Sequence, residues 1–133
     1  MQDYVINKEL GLIVIKYSGE VTIEQLAQLL QNVVSDTDYS ISFNVLSDLC
    51  ELTCDFSYDQ LHELASNFPK PEKAVAGTKS ALVADSDFTY GIGRVWASIT
   101  ENRTSEQTRV FRSMQEALEW LGLPKETEIK FPF

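Results

Sequence analysis

The feature of this sequence that most constrains its fold is a regular alternation of short apolar runs with longer amphipathic segments. Two runs at the start, DYVINK and GLIVIKYSG, follow each other closely and predict a β-hairpin. The later runs ISFNVLSDL, SALVAD and EQTRVFR are separated by helical patterns, so the predicted order of elements is ββαβαβαβα. Such alternation predicts an α/β domain with a mostly parallel five-stranded sheet, one antiparallel hairpin strand, and helices packed on it.

Capping signals mark the ends of several predicted helices. Three segments open with the capping-box spacing, in which a hydroxyl residue is followed three positions later by Gln or Glu: Thr22 with Gln25, Ser57 with Gln60, and Ser113 with Glu116. Gly122 follows the last helical pattern, at a position where a left-handed C-cap favours glycine. Leu123 is then placed to fold back on Leu118.

The length and composition predict one soluble domain. A chain of 133 residues can bury an independent core, and its two cysteines are too few for a disulfide framework. We find no leader-like N-terminal segment and no apolar run approaching about 18 residues, so we expect no transmembrane segment. These features predict a cytoplasmic protein.

The charge balance argues against nucleic acid as a partner. The formal net charge is −9, which repels a polyanionic backbone. The arginines near the C-terminus are interleaved with glutamates, a pattern typical of a solvated face.

The stretch LVADSDFTYGIGRVWASI resembles a nucleotide-binding turn, because an apolar run is followed by a G-x-G spacing and a helical pattern. A dinucleotide-binding turn requires its first glycine directly after the strand and a third glycine further on. Here six residues separate the apolar run from Gly91, and Trp96 stands where the third glycine would be. Asp85 and Asp87 also place negative charge where a phosphate would lie. The glycines are therefore predicted to lie inside a helix.

A helical projection of this segment suggests a binding site. It places Phe88 and Trp96 on the stripe that faces the core, with Gly91 at the edge of that stripe. A glycine there allows close approach to the sheet or leaves a hollow beneath the helix. We predict Phe88, Gly91 and Trp96 as residues that contact a small apolar ligand, with FPKPEKAVAG as a loop that could move. Core packing alone is the alternative explanation for the aromatic residues.

The same projection places Gly93 on the opposite side of the helix, together with Tyr90, Arg94 and Ala97. The small side chains of this set predict a flat patch on which a second subunit or a partner helix could pack, as in a homodimer. The alternative is a solvated face on which Tyr90 and Arg94 stack on each other.

The segment TRVFRSMQEALEWLG resembles the C-terminal signature of the bacterial STAS-like family called stage II sporulation protein AA-like, and YGIGRVWASI resembles the preceding helix of that family. The resemblance implies a STAS-like or lipid-transfer-like α/β domain over residues 1–123, followed by an extended tail at 124–133. Because members of that family are suspected of binding partners or small apolar ligands, the resemblance implies a binding function and does not imply enzymatic activity.

Related anti-sigma factor antagonists carry Asp-Ser-Ser/Thr-Gly after the third strand, and phosphorylation of its first serine breaks a complex with a kinase. The corresponding residues here are VLSDLCEL. Asp48 aligns with the aspartate of the motif, but Leu49 replaces the serine, and Ser47 lies on the wrong side of Asp48. We assign Ser47 and Asp48 to the loop at the switch position, near the end of the third run, ISFNVLSDL (residues 41–49), which leads into an irregular CELTCDF.

Cys50, Cys54 and His62 are the candidates for metal or nucleophilic chemistry. Their spacing matches no closed four-ligand zinc pattern, so no metal or other cofactor is predicted. A Cys54–His62 nucleophile pair has no accompanying oxyanion or orienting motif. Small buried side chains are the simpler interpretation of both cysteines.

Together these patterns predict a non-catalytic STAS-like regulatory or binding module that carries or senses a small apolar ligand. The alternatives are a protein-interaction module resembling an anti-sigma antagonist but lacking the phosphoserine, and a small enzyme that uses Cys54 and His62.

Overall fold

A computed structural model describes residues 2–67, 78–101 and 107–124. The predicted loop FPKPEKAVAG and the tail beyond residue 124 lie outside this part of the chain. The elements are β1 (Gln2–Asn7), β2 (Leu12–Glu20), α1 (Ile23–Ser35), β3 (Asn44–Thr53), α2 (Tyr58–Asn67), β4 (Lys79–Val83), α3 (Asp87–Glu101), β5 (Gln107–Phe111) and α4 (Met114–Trp120). This order and the α/β class confirm the prediction.

The five strands form one sheet in the order β1-β2-β3-β4-β5. The first pair is antiparallel, with Val5 opposite Val14, and all the other pairs are parallel. From β2 onward the chain crosses the sheet in a single direction, so crossovers of the usual right hand place α1, α2 and α3 on the same face. The last helix, α4, follows the final strand and covers the opposite face.

Two cores result, one on each side of the sheet. The three-helix face, under α1, α2 and α3, presents alternate strand residues that include Ile13, Ile15, Ser47, Leu49, Ser80 and Leu82. The α4 face presents the intervening residues, which include Leu12, Val14, Leu46, Ala81 and Val83, against Ala117 and Leu118 of α4. Because successive side chains of a strand point to opposite faces, both faces are apolar only where the strand has a continuous apolar run, as residues 12–15 of β2 do.

The local signals act as predicted at the helix ends. Thr22 and Gln25 form both hydrogen bonds of a capping box, and so do Ser57 and Gln60. At α4, the Ser113 hydroxyl accepts a hydrogen bond from the backbone of Glu116 at 3.2 Å. Gly122 has φ +79°, a left-handed conformation that disfavours side chains, and the Leu123 amide donates to the Leu118 carbonyl at 2.9 Å.

The third strand begins and ends later than predicted, since the prediction covered residues 41–49 and β3 spans Asn44–Thr53. It continues through Thr53 because β2 also continues after a bulge between Lys16 and Ser18, and residues 18–20 pair with residues 51–53. The predicted irregular segment at CELT is therefore strand. None of the helices in the described residues has the length and apolar character needed to cross a membrane.

Candidate functional site

An apolar cavity of about 230 Å³ lies between the three-helix face of the sheet and helices α1, α2 and α3. Leucine, isoleucine and valine side chains from both layers make up most of its wall, and Trp96 of α3 and Phe56, which precedes α2, also line it. Ile41, which is 37 % exposed, lies at the rim. The cavity therefore lies between secondary-structure elements and is partly open to the surface.

Small side chains on facing walls explain why the layers do not fill this space. The floor contains Ser47 and Ser80, and the opposite wall contains Ala65 of α2 and Gly93 of α3. Protein interiors are normally packed as densely as organic crystals, so small residues opposite one another leave a volume unless a neighbour extends into it. The cavity follows from this choice of side chains.

Gly93 sets the approach of α3 to the sheet. A Cβ atom at this position would lie 3.1 and 3.2 Å from the two methyl carbons of Val110 and 3.6 Å from Leu82. The prediction that Gly91 faces the sheet is wrong, because a Cβ at Gly91 would meet nothing within 4 Å. The two glycines therefore have the reverse of their predicted positions.

The residues predicted to contact a ligand are separated in the structure. Trp96 lines the cavity, whereas Phe88 is 55 % exposed and Gly91 is exposed, and neither lines it. The helix begins at Asp87, and its buried residues are Thr89, Gly93, Ala97 and Ile99. Small and hydroxyl residues form much of that stripe, and a projection that follows hydrophobicity gives them too little weight.

The four residues predicted to form an interface patch do not share one exposed surface. Gly93 and Ala97 are buried within the domain. Arg94 is exposed, and Tyr90 is half-buried with the Arg112 guanidinium 4.1 Å above its ring. The Arg112 guanidinium also forms an ion pair with Asp87 at 3.0 Å, which ties the end of β5 to the start of α3. Two of the four residues are thus unavailable to a second subunit.

Four buried residues with hydroxyl groups line the mostly apolar cavity: Tyr17, Ser47, Thr78 and Ser80, with exposures of 6 %, 5 %, 6 % and 7 %. Thr78 has an interaction partner, whereas no side-chain hydrogen bond joins Tyr17, Ser47 or Ser80 to another residue in the described part of the chain. Burial alone raises the pKa of Tyr17, so this phenol stays protonated. Sequence reasoning missed Tyr17 and Ser80 as site residues. The sequence carried a signal for them: each is a hydroxyl residue in a strand in which the residues two positions away, on the same face, are mostly apolar.

The cysteines and the histidine are not brought together. Cys54 is buried, and its pKa is raised by that burial, while His62 is exposed and stacks near Tyr58 with ring centroids 5.9 Å apart. Cys50 lies on the α4 face with its Sγ 3.9 Å from the Val83 carbonyl oxygen, and burial raises its pKa to about 11. Among the described residues, no three His, Cys, Asp or Glu side chains form a group that could hold a metal ion.

Comparison with solved structures identifies the architecture. The chain is similar to the crystal structure of an uncharacterised protein of the DUF3478 family, with a SpoIIAA-like fold, from Shewanella loihica PV-4. The TM-score is 0.51, the sequence identity is 20 %, and the match covers 83 % of each chain. This protein has a SpoIIAA-like fold. The finding supports the resemblance carried by the C-terminal segment, although no family model and no curated protein matches the sequence.

Within this SpoIIAA-like fold, Ser47 and Asp48 do not form a switch loop. Both lie inside β3, and Ser47 is buried against the cavity. Asp48 points to the other face, where its carboxylate accepts a hydrogen bond from the Cys50 amide at 3.0 Å. The prediction of a loop at this position is wrong because the bulge in β2 extends strand pairing beyond it.

Proposed function

We propose that this protein is a non-catalytic binding module that holds a small, largely apolar molecule between its sheet and helices α1, α2 and α3. The observation that carries the proposal is the cavity of about 230 Å³. An apolar cavity of about 150 Å³ in another protein takes up benzene, so this one has room for a molecule of about two fused rings. The concave site is mostly apolar with a few polar groups, which is typical of small-molecule sites.

The experiment is to fill the cavity and measure binding of naphthalene as the probe. Ala65→Leu adds three carbon atoms at a residue that is 2 % exposed and lines the cavity. We expect this variant to bind naphthalene at least tenfold more weakly than the wild type. Stability should be unchanged or raised by about 0.5–2 kcal/mol, because filling a void restores packing contacts.

Ala27→Leu is the matched control, since Ala27 lies on α1 and does not line the cavity. An NMR titration that follows the Trp96 indole N–H and the Gly93 amide gives both affinity and location. Native mass spectra of the purified protein, compared with denaturing spectra, supply the mass of any molecule retained from expression. Equal affinity for naphthalene in the wild type and Ala65→Leu would refute the proposed site.

A further inference from the structure

Extending the proposed function, on which this inference rests, we infer that the ligand is a neutral molecule with one hydrogen-bonding oxygen, held by the hydroxyls of Ser47 and Ser80. Such a molecule is an alcohol, a phenol or a ketone on an apolar skeleton.

The hydroxyl residues follow a diagonal across the floor of the cavity. Ser47 on β3 pairs with Ile15 on one side and Leu82 on the other, so Ser80 on β4 lies one same-face position below Ser47. Tyr17 lies one same-face position above Ile15 on β2. The backbone positions of Tyr17, Ser47 and Ser80 therefore step diagonally over three neighbouring strands.

The hydroxyl group directly opposite Ser80 on the neighbouring strand has a partner inside the protein. Thr108 on β5 pairs with Ser80, and its hydroxyl accepts a hydrogen bond at 3.4 Å from Thr100, which lines the cavity. A buried hydroxyl normally finds a partner, since leaving it without one costs about 1–3 kcal/mol. Thr108 has a partner within the protein, whereas the hydroxyls of Ser47 and Ser80 have none among the described residues and are not completely enclosed.

The charge of the wall excludes an ionised ligand group. None of the described residues that line the cavity is Asp, Glu, Lys, Arg or His. A carboxylate or ammonium placed there would lose its hydration without gaining a counter-ion, which is strongly unfavourable. Hydroxyls, in contrast, both donate and accept, so they suit a neutral oxygen in either role.

The test compares three probes of one shape: naphthalene, 2-naphthol and 2-naphthoate at pH 8. We expect the wild type to bind 2-naphthol at least as tightly as naphthalene, although the phenol is better hydrated in water. Binding of 2-naphthoate should be at least 100-fold weaker. In the double variant Ser47→Ala, Ser80→Ala, affinity for 2-naphthol should fall about fivefold or more, while affinity for naphthalene is maintained.

Ser66→Ala is the control, because Ser66 is exposed on α2 and donates to the His62 carbonyl. Unchanged 2-naphthol affinity in the double variant, with both probes bound by the wild type, would overturn the inference and leave the cavity as a ligand site. Equal affinity for 2-naphthoate would also overturn it. Failure of the wild type to bind any probe would overturn the proposed function and this inference together.

A stability measurement keeps the inference testable if the double variant binds nothing. Loss of hydroxyls that have no partner leaves the midpoint of thermal unfolding unchanged or raises it, and this is the result we expect for ligand-free protein. A lower midpoint in each single variant, Ser47→Ala and Ser80→Ala, would show that the hydroxyls already have partners and would overturn the inference.

Discussion

The two faces of the sheet are covered in different ways. On the α4 face a single short helix places Ala117 against the sheet, and Leu46 and Ala81 are completely buried. At the end of that helix, Trp120 packs on Phe111 with ring centroids 5.4 Å apart, and its carbonyl accepts a hydrogen bond from the Lys79 ammonium at 2.9 Å. On the three-helix face, three longer helices enclose a cavity of about 230 Å³.

How closely the helices approach the strands, more than the number of helices, decides how completely a layer is filled. Ser47 and Ser80 face a cavity beneath the three helices, whereas α4 brings Ala117 and Leu118 close to the strands. A face that keeps a void gives up packing contacts along its wall.

The largest effect is expected from the same substitution on opposite faces of β3. Leu46→Ala should lower the free energy of unfolding by about 3–5 kcal/mol, because Leu46 is completely surrounded. Leu49→Ala should lower it by about 2 kcal/mol, since Leu49 already borders empty space on one side. Urea unfolding measures both values. Equal losses would show that the two faces are packed alike.

A smaller effect is expected from the glycines of α3. Gly91→Ala should raise stability by about 0.5–1 kcal/mol, because alanine favours helix and its Cβ meets nothing. Gly93→Ala should lower stability by about 1 kcal/mol, because its Cβ would press on Val110, whose branched side chain adjusts little. Thermal unfolding of each variant, compared with that of the wild type, measures both changes in stability. A stabilised Gly93→Ala would mean that α3 shifts freely over the cavity.

The smallest effect is expected from the two cysteines, Cys50 on the α4 face and Cys54 on the three-helix face. Burial raises the pKa of Cys50 to about 11, so little thiolate exists at pH 8, and iodoacetamide should modify Cys50 about tenfold more slowly than free cysteine. The rate should rise with pH until about pH 11. Cys54 is more deeply buried and should react only after unfolding. Cys50→Ser identifies the modified residue by mass, and rapid modification at pH 7 would contradict the assignment.

The raised pKa of Cys50 also makes the stability of the fold depend on pH. A thiol whose pKa is raised on folding stabilises the native state below its unfolded pKa, and that stabilisation is lost as pH rises through the folded value. For Cys50 the loss falls between about pH 9 and pH 11.

Much of the fold could be predicted because its signals are local. Thr22 and Ser57 cap helices through residues three positions away, and Gly122 ends a helix through its own backbone conformation. The order of strands and helices follows from hydrophobic periodicity, which each segment carries by itself. For these features neighbouring residues hold the necessary information.

The candidate site was less predictable because it depends on residues far apart in sequence. Ser47 and Ser80 become neighbours only when β3 and β4 pair in register, and Gly93 faces them only because α3 packs close to the sheet. Phe88 shows the opposite error, since its hydrophobicity predicts burial although it lies in the first turn of α3 and is 55 % exposed.

The sequence alone determined the ββαβαβαβα order, the capped helices and the resemblance that indicated the fold, because capping and periodicity act over a few residues. The tertiary structure decided which glycine meets the sheet, that Ser47 lies within a strand, and where a cavity remains. Those outcomes depend on strand register and interlayer distance, which are set by the packing of all the elements together.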